Sequence, residues 1–151
     1  MFNPPSSSTK ATMMEFVITA PDIHGPFDLH HTMKSGQTSE PYWLQTNGAY
    51  WDAELSNGEV FGYEVHPSLD PENPRIEVHL SGSNIDGNTV QSAKKYLVEL
   101  FRLRDDLPSF YEKFQKDKLS RAFREFNGLR LMKASNPYES LISSICSQHS
   151  S

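Results

Sequence analysis

Asn47-Gly48-Ala49-Tyr50-Trp51-Asp52-Ala53-Glu54-Leu55-Ser56-Asn57-Gly58 is the stretch on which the fold reading turns. An Asn-Gly dipeptide stands at each end, and Asn-Gly supplies the two positive-φ positions of a tight hairpin turn. Between the dipeptides, Ala49, Trp51, Ala53 and Leu55 alternate with Tyr50, Asp52 and Glu54. A period of two sets one apolar face of a strand against a core. The expectation is a strand with Ala49, Trp51, Ala53 and Leu55 inward and a hairpin on each side.

Working outward, Tyr42 to Gln45 leads into the first turn, and Phe61, Tyr63 and Val65 share one face after the second. Pro67 to Pro74 holds three prolines and reads as a loop. Ile76, Val78 and Leu80 then alternate again, which completes an antiparallel meander. Met13 to Thr19 is a further β-prone run, and Leu29 to Met33 reads as another short strand. Trp43, Trp51 and Tyr63 are expected in the sheet core; the alternative is an exposed sheet face on which bases stack.

The period changes at Asp86. Val90, Ala93, Leu97, Leu100 and Phe101 follow helical spacing, with Asp86 or Asn88 as the cap. Short helices are expected around Pro108 to Phe114 and Leu119 to Phe126, with Gly128 ending the second. Asn136-Pro137 with Glu139 resembles a capping box ahead of an apolar stripe of Tyr138, Leu141, Ile142, Ile145 and Cys146. Such a stripe needs a partner to bury it, so the second half reads as the opening of a helical domain.

The 151 residues are 36% apolar, enough for a core, and no apolar run reaches the roughly 20 residues that span a bilayer. Met1 to Thr12 is Ser/Pro-rich without the apolar stretch of a signal peptide; it reads as a disordered tail on a cytoplasmic protein. The net charge of −5 is unevenly spread. Met1 to Ala93 carries three basic and twelve acidic residues, and Lys94 to Lys133 eleven basic and six acidic. That asymmetry hints at polyanion contact; the plainer alternative is the solvated faces of helices.

Gly128-Leu129-Arg130-Leu131-Met132, then Asn136-Pro137-Tyr138-Glu139-Ser140-Leu141-Ile142, then Ile145-Cys146-Ser147-Gln148-His149 resembles the start of the catalytic domain in helix-hairpin-helix DNA glycosylases. The likeness is to 8-oxoguanine DNA glycosylases and to archaeal relatives of 3-methyladenine DNA glycosylase. Upstream, Phe27-Asp28-Leu29, Ser35-Gly36-Gln37, and Asp105-Asp106-Leu107 with Phe110-Tyr111 are similar to further family segments in the same order. The resemblance spans about residues 27 to 149.

It implies an α+β fold: a TATA-binding-protein-like antiparallel sheet with helices, followed by the first helices of an all-α domain. It also implies substrate contact at Gly36 and Gln37. In the oxoguanine branch a glycine carbonyl faces the N7–H that guanine lacks, so an acceptor there discriminates the two bases. This chain continues Thr38-Ser39-Glu40, where the family has an aromatic, a basic residue and Trp, which leaves oxoguanine specificity open; the alternative for Gly36 is an ordinary turn glycine. Ser147, Gln148 and His149 fall where the family fills the gap left by a flipped base, with His149 standing where an Asn is usual. Arg121 and Arg124 complete the expected DNA-binding set.

The family's hairpin, its Schiff-base lysine and its aspartate lie beyond the position of Ser151, so no catalytic residue is assigned and the chain alone is expected to be inactive. No cofactor is expected. His24, His30 and His31 lie near Asp22 and Asp28 but lack a metal-ligand spacing, so no metal is expected. Cys146 reads as a small buried hydrophobe, and Ser143 and Ser144 lack a nucleophile-elbow pattern.

The expected organisation is a tail over 1–12, a TATA-binding-protein-like domain over 13–104 and the start of a helical glycosylase domain over 105–151. The expected function is base-excision repair of an oxidised or alkylated purine, with double-stranded DNA containing a damaged base and the missing C-terminal helical domain as partners, no membrane, and a place at the nucleoid in a prokaryote. The alternative is a non-catalytic nucleic-acid- or protein-binding module derived from a glycosylase; a blander one is an α+β domain unrelated to DNA.

Overall fold

In the computed structural model, which describes residues 11–35, 43–56, 58–116, 118–133 and 137–148, the alternating runs pair into one five-stranded sheet. Strand β1 is Thr12–Ile18, β2 Leu44–Thr46, β3 Ala49–Ser56, β4 Glu59–His66 and β5 Ile76–Gly82. Every pairing is antiparallel, in the order β1-β5-β4-β3-β2. The meander β2 to β5 is therefore as read from its turns. At the first turn Asn47 and Gly48 take φ of 52° and 83°, the pair of positive values a primed turn needs.

Ala49 is buried as expected, but from Tyr50 onward β3 turns the opposite face inward. Tyr50 is buried, Asp52 and Glu54 are half-buried, and Trp51, Ala53 and Leu55 face outward, Leu55 at 71% exposure. Cross-strand register explains this. Tyr50 sits opposite Val65 and Asp52 opposite Tyr63, and residues directly opposite share a face. Tyr63 and Val65 are in turn opposite Leu80 and Val78, which are fully buried. A one-residue change of phase in β3 would turn that alignment inside out. Polar partners make the inward set tolerable: the Tyr50 hydroxyl lies 2.7 Å from His30 Nδ1, and the Tyr63 hydroxyl donates to Glu54 at 3.1 Å.

Helix α1 is Leu29–Lys34, where a short strand was expected. The Asp28 side chain caps it by accepting from the His31 amide at 2.8 Å. Leu29 and Thr32 are buried and Met33 packs on the core, a helical rather than an alternating spacing. Helix α2, Gly87–Leu100, is capped by Asp86; it packs against β1, and its Ala93 and Leu97 belong to the same buried core as Ile76, Val78 and Leu80. Each fully buried Leu or Phe here stabilises the fold by about 2 kcal/mol. Phe101 is the hub: its ring lies 5.6 Å from Phe27 and 5.8 Å from Trp43.

Two short helices follow, α3 at Leu107–Lys113 and α4 at Ser120–Glu125, close to their expected positions. Asp106 caps α3, with Pro108 in its first turn. Phe110, Phe114 and Phe123 form a ring cluster that ties α4 to α3. Helix α5 is Pro137–Gln148. Its expected cap, Asn136, lies outside the described residues. Its stripe residues Tyr138, Leu141, Ile142 and Ile145 are all exposed. Cys146 is exposed as well, against the expectation of burial, because the stripe it belongs to faces outward. No helix among the described residues is long and apolar enough to cross a membrane.

Candidate nucleic-acid interface

The distant sequence segments Phe27-Asp28-Leu29, Asp105 to Tyr111 and Gly128 to Met132 meet at one node. The Asp28 amide donates to the Gly128 carbonyl at 2.8 Å, and the Gly128 amide donates to the Tyr111 hydroxyl at 3.0 Å. Gly128 has φ of 82°, and a Cβ there would stand 2.7 Å from the Asp28 nitrogen. Only glycine meets both conditions.

Two residues on, Arg130 is 3% exposed. Its Nη1 donates to the carbonyls of Arg102 at 2.7 Å and Asp105 at 3.1 Å, and its Nη2 to those of His24 at 2.7 Å and Pro26 at 3.1 Å. Its amide donates to the Thr32 hydroxyl at 3.1 Å. Burial lowers the pKa of the guanidinium, and the nearby Asp105 carboxylate opposes that shift. One of the basic residues counted as polyanion-facing is therefore an internal clamp. It ties the loop before α1 to the α2–α3 connection.

Arg121 and Arg124 are exposed on α4, three residues apart. Neither enters an ion pair among the described residues. The Phe110, Phe114 and Phe123 cluster fixes the helix that carries them. Ser147 and Gln148 are the last two residues of α5, where only their backbone is described. Gly36, Gln37 and His149 lie outside the described residues; Ser35, the C-cap of α1, stands directly before Gly36.

A groove of about 560 Å³ between α2 and the segment after it is lined by Lys94, Lys95, Arg102, Arg104 and Lys133 among others. Most of this charge is locally matched. Lys94 Nζ is 2.6 Å and Arg104 Nη2 3.6 Å from the Asp22 carboxylate, Arg102 pairs with Asp105 at 2.7 Å, and Lys133 with Glu99 at 3.2 Å. The hydrogen bond from Lys94 holds the Asp22 carboxyl below the usual carboxylate range. Here the solvated-face reading of the basic excess fits better than a dense anion-binding patch.

On the covered face of the sheet, burial raises the pKa of the Asp52 carboxyl and the Tyr63 hydroxyl, and pushes the Tyr96 hydroxyl up to about 12. The rings of Tyr63 and Tyr96 are 5.7 Å apart. Burial makes each of these groups harder to ionise than a free one.

The histidines considered for a metal meet separate partners. His24 Nε2 is 3.8 Å from Asp106, His30 meets Tyr50, and His31 Nδ1 is 3.2 Å from Asp28 with its ring edge-on to Phe126. A different cluster lies on the outer sheet face. Glu64 and His66 alternate on β4, and His79 stands opposite Glu64 on β5. The sequence signal was present, Glu-x-His in one alternating run and a His in the next. It needed the register to become a cluster.

A sequence model of the family described as 8-oxoguanine DNA glycosylase, N-terminal domain, matches residues 21–141. The chain is similar to a probable N-glycosylase/DNA lyase of Methanothermobacter thermautotrophicus, 32% identical over 127 residues, which cover 84% of this chain and 38% of that protein. In three dimensions it is similar to a 3-methyladenine DNA-glycosylase from Archaeoglobus fulgidus, with a TM-score of 0.66 and 16% identity, over 90% of this chain and 45% of that one. At that identity the likeness speaks to the fold alone. The chain thus spans less than half the length of each of these relatives.

Proposed function

Because this chain belongs to the family of 8-oxoguanine DNA glycosylase N-terminal domains, we propose that it works in DNA base-excision repair as the N-terminal part of a glycosylase that excises an oxidised or alkylated purine. The observation that carries this reading is the node at Gly128 and Arg130, where three of the segments bearing the family resemblance are bonded to one another. In this reading the sheet layer gives way to the helices of a second domain at about Asp105, with the node holding the two parts together.

In this reading the chain supplies the accessory sheet and one wall of the base pocket at Gly36 and Gln37. Arg121 and Arg124, with Ser147, Gln148 and His149, face the DNA. The partner is double-stranded DNA containing a damaged base, met through a protein that includes a C-terminal helical domain, in the cytoplasm and, if the cell is prokaryotic, at the nucleoid. The exposed stripe on α5 favours this over a self-sufficient binding module, since a module complete in itself has no use for an uncovered apolar helix face.

The chain alone is inactive in this reading, because the chemistry is assigned to the C-terminal helical domain of the same protein. The test is a single-turnover incubation of the verified 151-residue chain with duplexes carrying 8-oxoguanine or 3-methyladenine. The expected result is salt-sensitive duplex binding without base release. Release of either base by this chain would contradict the assignment of chemistry to another part of the protein.

A further inference from the structure

We propose that Glu64, His66 and His79 form a binding site for one divalent transition-metal ion, zinc being the expected occupant, on the outer face of the sheet. One ligand atom from each residue lies within 4.8 Å of the other two. His66 Nε2 is 3.0 Å from Glu64 Oε1, and His79 Nδ1 is 3.1 Å from Glu64 Oε2. Zinc held at about 2.0–2.1 Å by nitrogen or oxygen sets neighbouring ligand atoms roughly 3.3 Å apart in a tetrahedron. The two imidazole nitrogens stand at that spacing from different oxygens of Glu64, so a shared ion requires the side chains to turn until three ligand atoms face one point.

The strands fix the arrangement. Glu64 and His66 are two residues apart on β4 and so project to the same face, and His79 is the direct partner of Glu64 across to β5. The rings of His66 and His79 are 4.9 Å apart and inclined at 52°. The groups are partly shielded, with side-chain exposures of 17% for Glu64, 28% for His79 and 35% for His66. Two imidazoles and a carboxylate suit zinc and its first-row neighbours; magnesium and calcium prefer oxygen throughout.

Hydrogen bonding leaves the cluster incomplete without an ion. His66 Nε2 is closed off from solvent, and its 3.0 Å approach to Glu64 Oε1 lacks the alignment of a hydrogen bond. A cation placed between the two would give both atoms a partner. On its other side, His79 Nε2 is 3.7 Å from Glu15 Oε1, beyond hydrogen-bond length, so Glu15 adds negative potential to the site. Glu77, opposite His66, adds further negative potential, partly offset by Arg75 at 3.2 Å. Three protein ligands leave a fourth position for water or an anion.

The test is calorimetric titration of zinc chloride into the untagged 151-residue chain at pH 7.5, with cobalt(II) chloride as a spectroscopic probe. One ion per chain is expected, with a Kd of micromolar or below, visible cobalt bands of tetrahedral intensity, and a Tm that rises with zinc. His66→Asn and Glu64→Gln should each weaken binding at least tenfold, and His31→Gln should leave it unchanged. Circular dichroism of each variant separates lost binding from lost folding, and the isosteric Glu64→Gln keeps the question answerable if a histidine variant unfolds. Absence of binding to the wild type overturns the proposal, as does binding that survives both His66→Asn and Glu64→Gln.

Discussion

The Asp28 amide donates to the Gly128 carbonyl at 2.8 Å, across a contact so close that a Cβ on Gly128 would stand 2.7 Å from that same amide nitrogen. The obstacle is backbone, which cannot rotate away. Gly128→Ala should therefore cost about 2 kcal/mol or more, combining positive-φ strain with displacement of the Asp28 strand of backbone. Gly58→Ala is the control: it has φ of 81° but open space around it, so only the strain term of about 1 kcal/mol applies. Paired thermal melts should show Gly128→Ala as clearly the less stable variant; equal Tm values would mean that the node is slack.

Arg130 and the arginines of α4 should separate in their effects. Arg130→Met removes the donors of four carbonyl-directed hydrogen bonds from a buried site and should destabilise the chain by about 3 kcal/mol or more. Arg121→Ala with Arg124→Ala should leave Tm within a degree or two and weaken duplex binding instead. If both contact phosphates, the slope of log K against log salt should shrink by about 2. Filter binding at several salt concentrations, alongside melts, distinguishes the two; an unchanged slope removes α4 from the interface.

The phase of β3 can be tested directly. Leu80→Ala, at a fully buried position, should cost about 3 kcal/mol, and Leu55→Ala on the outer face close to nothing. Denaturant midpoints for the two variants decide it. A large loss at Leu55 would restore the face that the alternation alone suggested.

That reversal marks where the sequence ran out. Two Asn-Gly dipeptides and the alternating runs around them were enough for the meander, and helical spacing from Val90 to Phe101 was enough for α2. Alternation gives the period of β3 but not its phase. Trp51 and Leu55 are more apolar than Tyr50, Asp52 and Glu54, yet the register against Tyr63 and Val65 puts the latter set inside. Leu29 to Met33 was misread as a strand because its length suits either element; the deciding signal was the Asp28 cap. Arg130 was counted with the basic excess, since nothing local announces that four carbonyls from two loops converge on it. Glu64, His66 and His79 were passed over because they become neighbours only through strand pairing.

Asp52 should make stability depend on pH. Burial raises its carboxyl pKa, so the folded chain binds the proton more tightly than the unfolded chain does. Its stabilising contribution is present at low pH and is lost as pH rises from the ordinary carboxylate range through the folded value. Asp52→Asn keeps an oxygen for the Ala53 amide, which Asp52 accepts at 2.8 Å. The variant should melt a few degrees above the wild type at pH 7 and level with it near pH 3.5. A variant less stable at pH 7 would show that the charge is well solvated.

The central claim is that this chain is the N-terminal part of a glycosylase whose chemistry lies elsewhere in the same protein. The most direct measurement is the intact mass of the protein in its source cells, captured with an antibody raised against this chain. A species of roughly twice 17.2 kDa is expected, with the hairpin, lysine and aspartate of the family in its remaining part. A species of 17.2 kDa alone would contradict the claim and make a non-catalytic nucleic-acid-binding module the reading to pursue.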